Sequence, residues 1–348
     1  MPPAMRRSAR GRRLLAASVL GLGFGAVATI AVLSLLAERP ERLYEIVDPP
    51  DADVAYFQHD PDLGYAPARS VRAHVRRTND GRDLYDVTYT IGPDGFRPTP
   101  GDSAAPAFVF FGCSFTFGEG VEDDETLPAQ FAEALDRPAN VLNLGFHGYG
   151  PHQMLRLLET DRVAPLVPGG VVHVYYSATS GHARRAAGRV TWDVEGPRYE
   201  IDEIDEGDVG EEGDVVYQGP FHAAPVALAM KVLTRFDATN ALVDAWLALG
   251  EDVARDEERW IAIVARAAKL VREKWKAGFT VVYWGDEEDT LPDRLQARGI
   301  EVVRVWDLLG RSNRRRFLIR HDGHPNALAN RRIARSLAAE VDEPRPSR

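Results

Sequence analysis

Two short runs carry the side chains that could do covalent chemistry. Gly112-Cys113-Ser114-Phe115-Thr116-Phe117-Gly118 sets a serine between the apolar run Ala107–Phe111 and a segment with Leu127, Phe131 and Leu135 at helical spacing. His321-Asp322-Gly323-His324-Pro325-Asn326 lies near the C-terminus, just before the last helical pattern. A serine is a poor nucleophile unless a base takes its proton, and the base needs an orienting carboxylate. Asp322 and His324 stand two residues apart in a loop, so one turn can set both at a sheet edge. The pattern therefore predicts Ser114 as nucleophile, His324 as general base and Asp322 as its orienting acid. Three plainer readings stay open on the residues alone. Ser114 could simply cap a helix, the two histidines could belong to a surface loop, and His321, Asp322 and His324 could hold a metal. The metal reading lacks further ligands at a recognised spacing, so no metal and no cofactor is expected. Position 116 is threonine, so the run does not fit the Gly-x-Ser-x-Gly elbow.

The elements that must position these groups alternate. Strands are predicted at Ala107–Phe111, Ala139–Leu144, Val171–Tyr176, Phe279–Trp284 and Glu301–Val305. Helices are predicted at Thr126–Leu135, His152–Leu158, Glu257–Lys276 and Pro325–Glu340. Alternation of this kind argues for an α/β fold with a parallel sheet covered on both faces. In such sheets ligands collect at the carboxyl ends of the strands, which is where both reactive runs fall. Upstream, Tyr85–Ile91 is rich in β-branched and aromatic residues, and Asp80-Gly81 is a hairpin-type turn. Residues 56–106 thus read as a small β-rich extension, and residues 107–342 as the main domain. Residues 220–250 read as a helical insertion. Glu200–Asp214 holds nine acidic residues among fifteen; it reads as a solvated loop, since its spacing does not match an EF-hand.

Residues Leu14–Ala37 run for 24 positions without a charge, behind Arg6, Arg7, Arg10, Arg12 and Arg13. As a helix they would reach about 36 Å, enough to cross a hydrocarbon core of about 30 Å. Basic residues stay on the cytoplasmic side. The expectation is a basic cytoplasmic head at 1–13, a transmembrane signal anchor at 14–37 and a Pro-containing linker at 38–55. The remainder would lie outside the cytoplasmic membrane. A cleaved signal peptide is disfavoured, because its apolar region is shorter, at roughly 7–15 residues. The net charge of −10 becomes −15 once those five arginines are set aside. That excludes the basic footprint a nucleic-acid partner needs. Cys113 is the single cysteine, so no intramolecular disulfide can form.

Three blocks resemble those of the SGNH, or GDSL-like, hydrolases. They are GCSFTFGEG from Gly112, NLGFHGYG from Asn143 to Gly150, and DGHPN from Asp322. They occur in the family's order, and the resemblance covers about residues 107–340. It implies a flavodoxin-like three-layer α/β/α sandwich and esterase, lipase, thioesterase or O-acetyltransferase chemistry. Ser114, Asp322 and His324 match the family's triad, and the amides of Ser114 and Gly148 match its oxyanion hole. The chain departs from the pattern at three points. Cys113 replaces the aspartate before the serine, the acid and base are separated by one residue instead of two, and the third-block asparagine is missing after Tyr175-Tyr176-Ser177. His182 is assigned as the replacement oxyanion donor, with Thr179 and Ser180 as other donors. Arg184 and Arg185 could bind an anionic substrate. Trp192, Trp246, Trp284 and Trp306 could line a cleft, although core packing is their ordinary role.

The resulting expectation is an esterase acting on an acylated small molecule, glycan or lipid. The alternatives are an O-acyltransferase modifying an exported glycan or lipid, a metal-dependent hydrolase, and an inactive binding or scaffold module on the same fold.

Overall fold

The computed structural model describes residues 44–48, 57–79, 81–202, 214–235, 237–249 and 251–342. Five short strands open it: β1 (Tyr44–Asp48), β2 (Phe57–Asp60), β3 (Gly64–Pro67), β4 (Val71–Asn79) and β5 (Arg82–Ile91). β4 and β5 form an antiparallel hairpin with Asn79 opposite Arg82, and β1 pairs with the outer edge of β4. β5 alternates exposed and buried positions, as a strand with one wet face must.

The central sheet has the opposite character. β6 (Ala107–Gly112) is buried at all six positions. With β7 (Asn140–Asn143), β8 (Val171–Ala178), β11 (Gly278–Tyr283) and β12 (Glu301–Arg304) it makes a five-stranded sheet in the order β12-β11-β8-β6-β7. Every pairing in it is parallel. Strands buried on both faces give continuous apolar runs such as AFVFF. Along β6, Val109 and Phe111 enter one apolar cluster while Phe108 and Phe110 enter another. That period of two splits the core into two layers, one on each face of the sheet.

The first layer is closed by α3 (Pro151–Glu159) and the long α7 (Val253–Trp275), and the second by α2 (Leu127–Ala134) and α10 (Ala327–Asp342). Shorter helices are α1 (Ser114–Phe117), α4 (His182–Ala186), α8 (Leu291–Ala297) and α9 (Val305–Leu309). The strand order is the flavodoxin-like one, and its crevice falls where the order reverses, between β6 and β8. Ser114 begins the chain that leaves β6 at that point.

Three features differ from the sequence expectation or extend it. Val75, Tyr85, Val87, Tyr89 and Ile91 share one apolar cluster with Val109 and Phe111. The β-rich extension is therefore a wall of the main core, because its inward face has nowhere else to bury. The helical insertion at 220–250 is two helices, α5 (Ala224–Leu233) and α6 (Asp237–Ala248). It is preceded by an unpredicted hairpin of β9 (Pro197–Ile201) and β10 (Val215–Pro220), which flanks the acidic stretch. The basic head, the anchor at 14–37, most of the linker and residues 203–213 lie outside the described residues. Among the described residues no helix is long and apolar enough to cross a membrane.

Candidate active site

The chain leaves β6 through Gly112, whose φ is +153°. A Cβ there would lie 2.3 Å from Thr116 Oγ1 and 3.1 Å from the Ser177 side chain, so only glycine allows the sharp exit. Cys113 is buried beneath this turn. Ser114 is the first residue of α1, so its amide is one of those a helix start leaves without an intrahelical partner. The buried Arg97 clamps the segment that follows: it donates to the carbonyls of Phe117 (2.9 Å), Gly118 (2.8 Å) and Val121 (3.0 Å).

The C-terminal loop brings His324 to the serine. His321 and Gly323 have φ of +64° and +96°. The Ile319 amide donates to the His324 carbonyl (2.7 Å), which closes the turn. Asp322 Oδ1 accepts from the His324 amide (3.1 Å) and from His324 Nδ1 (2.5 Å). One oxygen thus fixes both the loop and the ring, which is how the shorter Asp-x-His spacing works. With Nδ1 carrying its proton, Nε2 is the acceptor, and it lies 2.8 Å from Ser114 Oγ. The structure brings Ser114, His324 and Asp322 together over 210 residues of sequence.

Sequence reasoning missed the charges around this triad. Arg77, from β4, lies with Nη1 2.7 Å from Asp322 Oδ2 and 2.8 Å from Glu119 Oε1. Glu119 Oε1 also accepts from Tyr85 OH (3.0 Å), and Oε2 from His147 Nδ1 (2.7 Å). Glu119 Oε2 is 3.4 Å from His324 Nε2. Burial by itself would raise the Glu119 pKa, but His147, His324 and Arg77 outweigh it and hold the carboxyl well below its ordinary range. The available signals were weak: Glu119 and His147 sit inside the first two blocks, and Arg77 is one arginine in a strand.

Glu119, Asp322 and His324 bring ligand atoms within 4.8 Å of one another. Arg77 already fills the gap between the two carboxylates, and a cation there would meet its guanidinium. His321 is exposed and outside that group, so the alternative set of His321, Asp322 and His324 is not brought together.

Ser114 and His324 open onto a cavity of about 610 Å³. Its walls include Phe57, Tyr65, Tyr85, Tyr89 and Trp192, together with Gly148 and Arg185. Gly148 has φ +71°, and a Cβ on it would lie 2.6 Å from Trp192 Nε1 and 2.7 Å from Tyr65 OH. His182 does not line this cavity. It is fully buried, its Nδ1 lies 2.6 Å from Tyr176 OH, and burial pushes its pKa down, with Arg185 and His152 adding to the effect. The structure thus gives His182 Nδ1 a buried tyrosine as partner and leaves its buried Nε2 without one among the described residues. Arg185 faces the cavity, donating to the Tyr149 carbonyl (3.0 Å), while Arg184 pairs with Glu251 (3.1 Å). Of the four tryptophans named above for a cleft, Trp192 lines the cavity, Trp284 and Trp306 are packed in the core, and Trp246 is exposed on α6.

No family model and no curated protein matches the chain. Solved structures do resemble it. One is a member of the lipolytic G-D-S-L family from Veillonella parvula, 14% identical, covering 68% of this chain and 98% of its own, with a TM-score of 0.37. TesA is 10% identical over 68% of this chain and 98% of its own, with a TM-score of 0.38. AlinE4, an SGNH-hydrolase family esterase, is 13% identical over 72% of this chain and all of its own, with a TM-score of 0.35.

Proposed function

We propose that this chain is a serine hydrolase of carboxylic esters, held at the outer face of the cytoplasmic membrane by residues 14–37. The observation that carries the reading is the hydrogen-bonded line from Ser114 Oγ to His324 Nε2 and from Nδ1 to Asp322, opening onto an aromatic cavity.

Ser114 Oγ attacks the ester carbonyl carbon as its proton passes to His324 Nε2. The carbonyl electrons move onto oxygen, where the amides of Ser114 and Gly148 receive the negative charge. The intermediate collapses, the carbon–oxygen bond to the alcohol breaks, and the leaving oxygen takes the proton from His324. Water then loses a proton to Nε2 and attacks the acyl carbon. Oγ leaves and recovers that proton. Asp322 and Glu119 both stabilise the transient imidazolium, one at each ring nitrogen. Arg77 offsets the charge of this carboxylate pair in the resting state.

The test treats the full chain with a fluorophosphonate probe and follows p-nitrophenyl acetate hydrolysis. Labelling and turnover should vanish together in Ser114→Ala. A folded wild type that neither labels nor turns over sinks the proposal.

A further inference from the structure

Among the described residues, large apolar side chains left exposed are concentrated in one place. Of eleven such residues, Val226, Leu228, Val232, Leu242, Trp246, Leu249 and Val253 fall on α5, on α6, in the turn just after it or at the start of α7. Leu228, Trp246 and Leu249 are 65%, 53% and 76% exposed. The inner faces of α5 and α6 bury Ala227, Met230, Val243 and Leu247 against Val194. These helices are thus apolar on both sides, whereas a surface helix of a water-soluble domain is polar on its outer side. An exposed patch of this kind marks an interaction surface.

Two features say what covers it. The patch adjoins the cavity, because Glu251, two residues from Leu249, pairs with Arg184 (3.1 Å), whose neighbour Arg185 lines the cavity wall. The chain also enters the domain beside the same cavity. β1 begins at Tyr44, which pairs with Arg77, and Arg77 lies on Asp322 and Glu119. Paired residues on neighbouring strands stand only about 5 Å apart. Seven steps from Ala37 to Tyr44 reach at most about 25 Å. The 24-residue apolar run thus ends seven residues of chain before the strand that pairs with Arg77.

We propose that the α5–α6 hairpin is a lipid-docking surface. It dips its outer face into the membrane in which residues 14–37 sit and turns the cavity mouth toward that membrane, so that the ester cleaved is a lipid-borne one. This rests on the anchored-esterase reading and extends it to the substrate. Exposed leucines and tryptophan in the acyl–headgroup boundary gain the burial that water denies them.

The experiment reconstitutes the full chain in vesicles of phosphatidylethanolamine and phosphatidylglycerol. An environment-sensitive fluorophore is attached to Leu249→Cys; Cys113 is buried and stays unlabelled. Lipids brominated on their acyl chains should quench the probe, and a probe on exposed Glu273, at the far end of α7, should stay unquenched. In Leu228→Glu/Trp246→Glu/Leu249→Glu, turnover of p-nitrophenyl acetate should be unchanged, while turnover of a vesicle-embedded ester falls roughly tenfold or more. Vesicle flotation of the wild type reports the anchor separately, and fluorophosphonate labelling reports the hydrolase. A protein that floats and labels, yet shows an unquenched probe at 249, overturns the docking surface. A probe shielded in a second copy or by another part of the chain, without bromine quenching, overturns it equally.

Discussion

Arg77 Nη1 lies 2.7 Å from Asp322 Oδ2, so a residue of the N-terminal hairpin holds the carboxylate paired with His324. The same nitrogen is 2.8 Å from Glu119 Oε1. The Asp322 side chain is fully buried and that of Glu119 nearly so. The hairpin thereby supplies the guanidinium that joins these two carboxylates.

Removing Arg77 leaves two buried carboxylates facing each other. Arg77→Met should destabilise the fold by about 3–5 kcal/mol, the usual cost of breaking a buried pair. In urea melts the midpoint should fall without a large change in slope. Arg77→Lys should recover part of the stability only, since a single ammonium does not reproduce the guanidinium fork.

His324→Ala should lower kcat for p-nitrophenyl acetate by roughly four orders of magnitude. Asp322→Asn should cost about as much, because the amide no longer fixes the Nδ1–H tautomer. Circular dichroism would verify that both variants stay folded.

The lowered Glu119 pKa makes a signed prediction for acid stability. A carboxyl whose folded pKa lies below its unfolded value stabilises the fold above the unfolded pKa, and loses that contribution as pH falls through the folded one. Glu119→Gln should therefore be less stable than wild type at pH 7. The gap should begin to close as pH falls below the ordinary value of 4.5 and narrow further toward the folded pKa, which lies lower. Denaturation curves at pH 7, 4 and 3 measure it.

Gly148→Ala should cost both stability and rate. Its φ of +71° is strained for alanine, by roughly 1–2 kcal/mol. The new methyl would also press on Trp192 and Tyr65 at the corner where the oxyanion forms. A fall in kcat larger than the change in KM would place the damage at that corner.

His182 and Arg185 separate by their surroundings. An oxyanion donor is worth about 10²–10³ in rate. His182→Ala, which removes a buried partner of Tyr176, should lower stability while changing kcat less than tenfold in the folded protein. Arg185→Ala, at the cavity wall, should act on KM or kcat with little change in melting.

The sequence by itself determined the sheet and the outline of the reacting residues. Strands buried on both faces have to be continuous apolar runs, so β6, β8 and β11 could be read directly, while β7 and β12 rest on their alternation with helices. A serine leaving one strand and a His-Asp pair entering the last helix are confined to the same sheet edge by that topology. Local composition could not reveal which polar groups the fold would bring to the triad. Arg77, Glu119 and His147 come from three separate segments, and their meeting depends on the hairpin of β4 and β5 packing onto the core. His182 shows the converse: a strong donor assigned to the oxyanion from sequence, whose full burial and hydrogen bond to Tyr176 no local pattern announced. Periodicity records which face of an element avoids water, because every residue on that face contributes. The pairing of charges across 42 or 245 residues of chain leaves no such trace in either partner's neighbourhood, and only tertiary packing decides it.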